Sequence, residues 1–287
     1  MKNTLFVVGT PLGNVADWSP RAQQVLAAVP VIAAEDTRVT ARLLAACGIA
    51  GARLITYTDA FAPKQAQRQA EVLAALNHGD VALVADAGMP GIADPGYALV
   101  QAAVAAGHRI VPVPGPSAVV TALAIAGLPA GRFLFLGFLP RRRAERQQLL
   151  RQAADEPGTL VAYEVPPRLL ESLADLAEVL GDRPVLVARE LSKPYETLWY
   201  GRLGEAVTAL AAEAPRGEYV LAIAGAAANV RAAEGDWSPT QVREALAIMA
   251  AEGVDERAAQ RVVARLAGWR KKDVYRLAFT AEANQDD

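Results

Sequence analysis

Five short runs in the first 120 residues, "TLFVVG", "PVIAAED", "ARLITY", "DVALVAD" and "HRIVPVPG", are apolar almost throughout. Alanine-rich stretches with helical character, such as "SPRAQQVLAAV" and "KQAQRQAEVLAALNHG", separate them. A strand with one wet face alternates polar and apolar residues. Runs without that alternation are buried on both faces, as in a mostly parallel sheet covered by helices. The fold class is therefore α/β, with a first domain over residues 1–116. The next runs, "RFLFLGF", "GTLVAYEV", "RPVLVARE", "ETLWYGRL" and "EYVLAIAG", include two too close together for an intervening helix. That spacing implies antiparallel pairing and a mixed sheet over residues 117–230. Residues 238–281 lack strand runs and read as a small appendage of two or three helices, opened by Ser238 and Pro239.

The chain has 287 residues, enough for two domains, and 53% of them are hydrophobic, enough for real cores. Lys+Arg 29 against Asp+Glu 31 leaves no global basic field, so a nucleic-acid partner must be met by local patches. The single cysteine, Cys47, excludes an internal disulfide and fits a reducing compartment. His78 and His108 sit beside glycines at helix ends, and no zinc-ligand spacing exists, so no metal is expected. The "LFVV" run is too short for a signal-peptide core, and no apolar stretch spans a bilayer. The expectation is a cytoplasmic protein with no membrane partner.

Chemistry concentrates where strands end. "VVGTPLGNVAD" lacks the lysine ending of a P-loop and the spacing of a dinucleotide fingerprint. Glu35 and Asp36 nevertheless end the second strand, where a dinucleotide fold places its ribose-reading acid, so that rival stays open. In "LVADAGMPGIADPG", three glycines and two prolines in ten residues hold the backbone on an unusual path after Asp86. Asp86 has no local structural task and faces the crevice where open α/β sheets bind ligands. Asp94-Pro95 reads as the cap and first position of the following helix. In "VPVPGPSAVVTAL", Ser117 opens a helix, as an N-cap or as a ligand contact; without a histidine partner it is no nucleophile.

"VGTPLGN", "AAEDTR", "DAGMPGIADPG", "PGPSA", "GFLPR" and "ARELSK" occur in this order along the chain. Together they resemble the tetrapyrrole-methylase superfamily, and within it the bacterial ribosomal RNA 2′-O-methyltransferases that modify a decoding-region cytidine ribose of the small subunit. The resemblance implies a homodimer of two-domain α/β chains with S-adenosylmethionine in the cleft between domains. It would place Pro11, Asp86, Gly88, Met89, Pro90, Ser117, Ala118, Tyr163 and Leu221 at that cofactor. Glu35 and Asp36 then lose the ribose-reading role and face the RNA. The chain departs from the family's usual serine and threonine at Ala85 and Met89, and "TYTDAFAPK" replaces a His/Asn-containing stretch.

A ribose hydroxyl is a poor nucleophile unless a base holds its proton. Two adjacent acids and an arginine at one strand end suggest that Glu35 or Asp36 polarises the hydroxyl while Arg38 contacts phosphate. Local positive charge comes from "PRRRAERQQLLR", with Arg141, Arg142, Arg143, Arg146 and Arg151. More comes from the tail, with Arg257, Arg261 and Arg265 at four-residue spacing, then Arg270, Lys271, Lys272 and Arg276. Ribosomal RNA in the small ribosomal subunit is the partner these patches would meet. Trp269 packs in the core or stacks a base. Two other readings remain: a methylase of a small corrin-type precursor, and a non-catalytic RNA-binding relative.

Overall fold

A computed structural model describes residues 2–58, 62–212, 214–226, 237–251, 253–267 and 269–282. Five strands, β1 (Thr4–Val8), β2 (Val31–Ala34), β3 (Arg53–Thr56), β4 (Val81–Val84) and β5 (Arg109–Val113), form one sheet in the order β3-β2-β4-β1-β5. Every pairing in it is parallel. Both faces are buried, as the unbroken apolar runs require. Ile32, Ala34, Ala82 and Val84 point into one core with Trp18, Leu26 and Leu44, while Ala33, Val81 and Leu83 point into another with Tyr57, Leu76 and Leu99. Each such aliphatic residue removed from water contributes about 1.5–3 kcal/mol.

Two of the helices between these strands carry the sequence's signals, one at its start and one at its end. Helix α1 (Pro20–Ala28) starts with the Ser19 hydroxyl accepting from the Ala22 amide at 3.1 Å. Helix α2 (Thr37–Ala46) is followed by Gly48 at φ 68°, the left-handed turn that closes many helices. Helices α3 (Ala62–His78) and α4 (Tyr97–Ala105) complete the covering layer. No helix among the described residues is long and apolar enough to cross a membrane.

The second sheet is mixed, as the close spacing of "RPVLVARE" and "ETLWYGRL" demands. Its strands are β6 (Phe133–Phe138), β7 (Thr159–Glu164), β8 (Pro184–Arg189), β9 (Thr197–Arg202) and β10 (Tyr219–Ile223), in the order β6-β7-β10-β8-β9. Only β6–β7 is parallel; the other pairs are antiparallel. Helix α5 (Ala118–Ile125) buries Val119, Ala122 and Leu123 against Val161, Leu186 and Val220. Helices α6 (Arg143–Gln152), α7 (Leu169–Leu180) and α8 (Leu203–Leu210) complete this half. Both sheets belong to one compact unit, Met1–Gln152 with Thr159–Ala224.

Ala153–Gly158 and the described residues from Gly225 onward form a second unit. Its helices are α9 (Pro239–Ala251), α10 (Glu256–Ala267) and α11 (Lys271–Glu282). Ser238 and Gln241 cap α9 reciprocally: the Gln241 amide donates to the Ser238 hydroxyl and the Ser238 amide to the Gln241 side chain. The core is small, with Val242, Val263, Ala267 and Val274 buried and Trp237 and Trp269 packed against them. Trp269 is thus a packing residue in this unit.

Candidate functional site

The carboxyl ends of β1, β4 and β5 are joined by contacts that only small residues permit. A Cβ on Gly9 would lie 2.6 Å from the Gly115 Cα, and one on Gly115 would lie 2.7 Å from the Gly9 Cα. Neither position tolerates a side chain, which accounts for the glycines of "VGTP" and "PGPS". Beside this crossing, the Thr10 amide donates to the Gly88 carbonyl at 2.9 Å and the Gly88 amide to the Thr10 carbonyl at 3.1 Å. The buried Thr10 hydroxyl donates to the Ala85 carbonyl at 3.1 Å.

The glycine-rich loop after β4 earns its composition through backbone angles. Gly88 (φ 80°), Gly91 (φ 81°) and Gly96 (φ 147°) all lie where side chains are disfavoured. Ala93 lies there as well, at φ 62°, without the excuse of being glycine. The expected cap at Asp94 is not formed. Helix α4 begins at Tyr97 with Gly96 in the cap position, so the Asp94 carboxyl is released from helix duty.

The acids at the ends of β2 and β4 hold one another. The Asp36 amide donates to Asp86 Oδ1 at 3.0 Å, and the Asp86 amide donates to Glu35 Oε2 at 3.3 Å. Beside them opens a cavity of about 300 Å³. The first sheet's loops line it with Leu12, Glu35, Asp86, Gly88, Met89, Asp94, Ser117 and Ala118. The second sheet contributes Phe138, Tyr163, Glu164, Lys193, Glu218 and Val220. Its charge is predominantly negative. Burial pushes the Asp86 carboxyl up from its ordinary value. Asp94 is pushed up to about 7, by burial first and then by the charges of Glu35, Asp86 and Glu218. Burial and the Asp94 charge push the Tyr163 phenol up to about 12, so it stays protonated. Burial works against the Lys193 ammonium, but bonds to Glu218 Oε2 at 2.8 Å and Glu190 Oε1 at 3.0 Å raise it overall.

The family of tetrapyrrole (corrin/porphyrin) methylases matches residues 4–207 of this sequence. The chain belongs to the tetrapyrrole methylase family. It is 40% identical over 282 residues to a Synechocystis sp. protein named ribosomal RNA small subunit methyltransferase I, covering 98% of this chain and 99% of that one. The protein of that name from Pseudomonas aeruginosa is 42% identical over 281 residues, 96% of each chain. Solved methylases share the fold. The methyltransferase CobJ superimposes with TM-score 0.59 at 22% identity over 78% of this chain and 95% of that one. Uroporphyrin-III C-methyltransferase from Thermus thermophilus, complexed with S-adenosylhomocysteine, gives 0.54 at 22% over 79% and 99%.

Within this methylase fold, the cavity brings together Asp86, Gly88, Met89, Ser117, Ala118 and Tyr163 of the expected cofactor residues. Three others, Pro11, Pro90 and Leu221, are not among its lining residues. Pro11 and Pro90 are buried, while their neighbours Leu12 and Met89 line the cavity. Leu221 is wholly buried in β10 and does not line the cavity, whereas its neighbours Glu218, Tyr219 and Val220 do. Ser117 occupies the N-cap position of α5 but makes no capping bond, which leaves its hydroxyl to the cavity.

Of the expected catalytic trio, only Glu35 lines the methylase cavity. Asp36 caps α2 through the Arg38 amide at 2.8 Å and pairs with the Arg38 guanidinium at 2.6 and 3.0 Å. The Arg38 bonds hold the Asp36 carboxyl well below the usual carboxylate range, so as a proton acceptor it is ill suited. Sequence reading missed Asp94, Glu164, Lys193 and Glu218. One signal was available for Lys193: it ends "ARELSK", a motif otherwise left without a task. The left-handed backbone of Glu190 (φ 51°) and Ser192 (φ 65°) marks the same loop as shaped for a purpose.

The basic residues divide sharply. Arg146 is fully buried, with Nε donating to Asp175 Oδ2 at 2.7 Å and Nη1 to the Pro140 carbonyl at 3.2 Å; it is structural, not a nucleic-acid contact. Arg143 is also committed, donating to Asp175 at 2.9 Å and Glu178 at 2.7 Å. Arg142 pairs only loosely with Glu145 at 3.1 Å on an exposed surface, and Arg141 is exposed. In the helical unit, Arg257, Gln260 and Arg261 of α10 and Lys272 and Tyr275 of α11 line an open concavity. Arg270 pairs with Asp273 at 2.7 Å. The side chains of Arg265 and Lys271 lie outside the described residues.

Proposed function

We propose that this chain is an S-adenosylmethionine-dependent methyltransferase of the 2′-hydroxyl of a cytidine ribose in the decoding region of 16S ribosomal RNA. The near full-length similarity to ribosomal RNA small subunit methyltransferases supports the substrate. The acid-lined cavity at the strand ends supports the methyl donor, and it is the observation that carries the reading. Its volume of about 300 Å³ is at the lower end for small-molecule sites. Carboxylates crowded into a small cavity repel one another, and a cationic ligand relieves that repulsion. At contact distances and an effective dielectric of about 20, one opposite-charge pair is worth about 4 kcal/mol. A neutral or anionic cofactor would find no such gain.

When bound, S-adenosylmethionine supplies a sulfonium-borne methyl group. Asp86, Gly88, Met89, Ser117, Ala118 and Tyr163 would hold it, the glycine through close backbone approach. The protein's contribution is chiefly alignment, which can supply several kcal/mol of rate enhancement, roughly 7 or more in well-oriented cases. Glu35 accepts a hydrogen bond from the ribose hydroxyl, and the Asp36–Arg38 pair, with Arg38 exposed, reaches toward phosphate. Phosphate also meets Arg141, Arg142, Arg261 and Lys272 on exposed surfaces. We assign the donor and acceptor work to residues 1–116 and 117–230, and RNA docking to residues 238–281. The active form is a homodimer in the cytoplasm; Phe133, Leu134, Leu198 and Tyr200, exposed on the edge strands β6 and β9, are apolar surface for a second copy.

The test is methyl transfer from tritiated S-adenosylmethionine to small ribosomal subunits from a strain lacking this gene, followed by mass-spectrometric mapping of the RNA. A single 2′-O-methylcytidine in the decoding region is expected. Transfer to a corrin-type precursor instead, or none, would refute the reading. Light scattering in solution checks the dimer.

A further inference from the structure

We infer that Asp94 is the residue by which the cavity distinguishes a positively charged ligand from its neutral counterpart. This rests on the proposed methyl donor, whose sulfonium carries a charge that its demethylated product lacks.

Three features single out Asp94 among the acids of the cavity. It is freed from capping, because α4 begins three residues later behind Gly96. The residue before it, Ala93, holds a left-handed backbone at φ 62°, a conformation that costs free energy and persists where the surroundings impose it. The strain sets the direction of the chain entering Asp94. Finally, its half-buried carboxyl lines the cavity and accepts no hydrogen bond from any described residue. Asp86, by contrast, accepts from the Asp36 amide, Glu164 from the Val165 amide and Ser172, and Glu218 is paired with Lys193.

The groups that act on Asp94 come from four sides. Glu35 ends β2, Asp86 ends β4, Glu218 precedes β10, and Tyr163 stands on β7. Lys193 faces the same cavity, but its charge is spent on Glu190 and Glu218. The carboxyl therefore holds its proton to near neutrality while the cavity contains no cation. An incoming cation favours the carboxylate and drives the proton off; a neutral ligand, which only deepens burial, favours the protonated acid. Affinity for the cation is then flat above pH 7 and falls by up to tenfold per pH unit below it. Affinity for the neutral ligand does not fall on acidification.

Calorimetry on the full chain with S-adenosylmethionine and S-adenosylhomocysteine, from pH 5.5 to 8.5 in buffers of different ionisation enthalpy, tests this without RNA or turnover. The wild-type protein should release about half a proton per S-adenosylmethionine at pH 7, rising toward one as the pH falls, and none with S-adenosylhomocysteine. Asp94→Asn should abolish that release and weaken S-adenosylmethionine roughly tenfold while leaving S-adenosylhomocysteine within about twofold. Asp94→Glu, which keeps the charge, should retain the release, and thermal unfolding checks that both variants fold. Equal weakening of both ligands in Asp94→Asn, or unchanged proton release, would overturn the inference and leave the donor assignment standing. Failure of both ligands to bind the wild-type chain would remove the donor assignment and the inference together. Donor discrimination without methylation of ribosomal RNA would refute only the RNA substrate.

Discussion

The cavity at the strand ends and the concavity of the helical unit are opposites in charge and in construction. The first gathers Glu35, Asp86, Asp94, Glu164 and Glu218 around a partly enclosed space, with one lysine already neutralised. The second sets Arg257, Arg261 and Lys272 on an open surface. A formal net charge of −2 conceals this segregation completely. The contrast teaches that charge sign follows enclosure. Carboxylates confined in a cavity suit a small cation, whereas cations spread on an open face suit a polyanion, whose condensed counterions they can release.

The contrast can be broken at its scaffold first. Asp175→Ala strips the buried Arg146 of its carboxylate, a change that typically costs about 3–5 kcal/mol. Chemical denaturation should show a loss of that order, and an intact midpoint would return Arg146 to the pool of available cations. Bonds from Arg143, Arg146 and Gln147 outweigh burial and lower the Asp175 pKa. Its contribution is therefore present above about pH 4, the ordinary carboxylate value, and lost as pH falls through the lowered one. Next in size, Gly115→Leu forces a side chain into the Gly9 backbone, an overpacking worth about 1–3 kcal/mol that should also abolish donor binding in calorimetry.

A sharper cut separates the two regions. The pair Arg261→Ala and Lys272→Ala should weaken small-subunit RNA binding about tenfold at low salt and reduce its salt slope by about 2, with donor affinity unchanged. Equal RNA affinity at every salt concentration would leave the concavity without a task. The smallest effect is on stability alone. Because the Asp94 pKa is raised, its contribution is intact below about pH 4 and lost as pH rises through about 7. Asp94→Asn should therefore flatten the decline in melting temperature between pH 5 and 8.

Both sheets were legible because burial on two faces leaves an unmistakable run: Val81, Ala82, Leu83 and Val84 alternate between two cores, so none can be polar. Capping was legible where a side chain does the work, at Ser19 and Ser238, and misleading where backbone alone does it, at Gly96. The site was legible on its first-sheet side, where glycines announce tight paths. Glu218 and Lys193 escaped because what brings them to Asp94 is the pairing of distant strands, which no local pattern encodes. Arg146 looked like surface charge since its partner, Asp175, lies 29 residues away; Arg143 shares that partner and stays on the surface.

The touching glycines at positions 9 and 115 have a consequence for motion. With the Gly9 amide bonded to Val113 and the Thr10–Gly88 pair alongside, the three loops have no slack between them. Their amides should exchange with deuterium in a single shared opening event rather than one loop at a time. A ligand that touches any one loop would then slow exchange in all three.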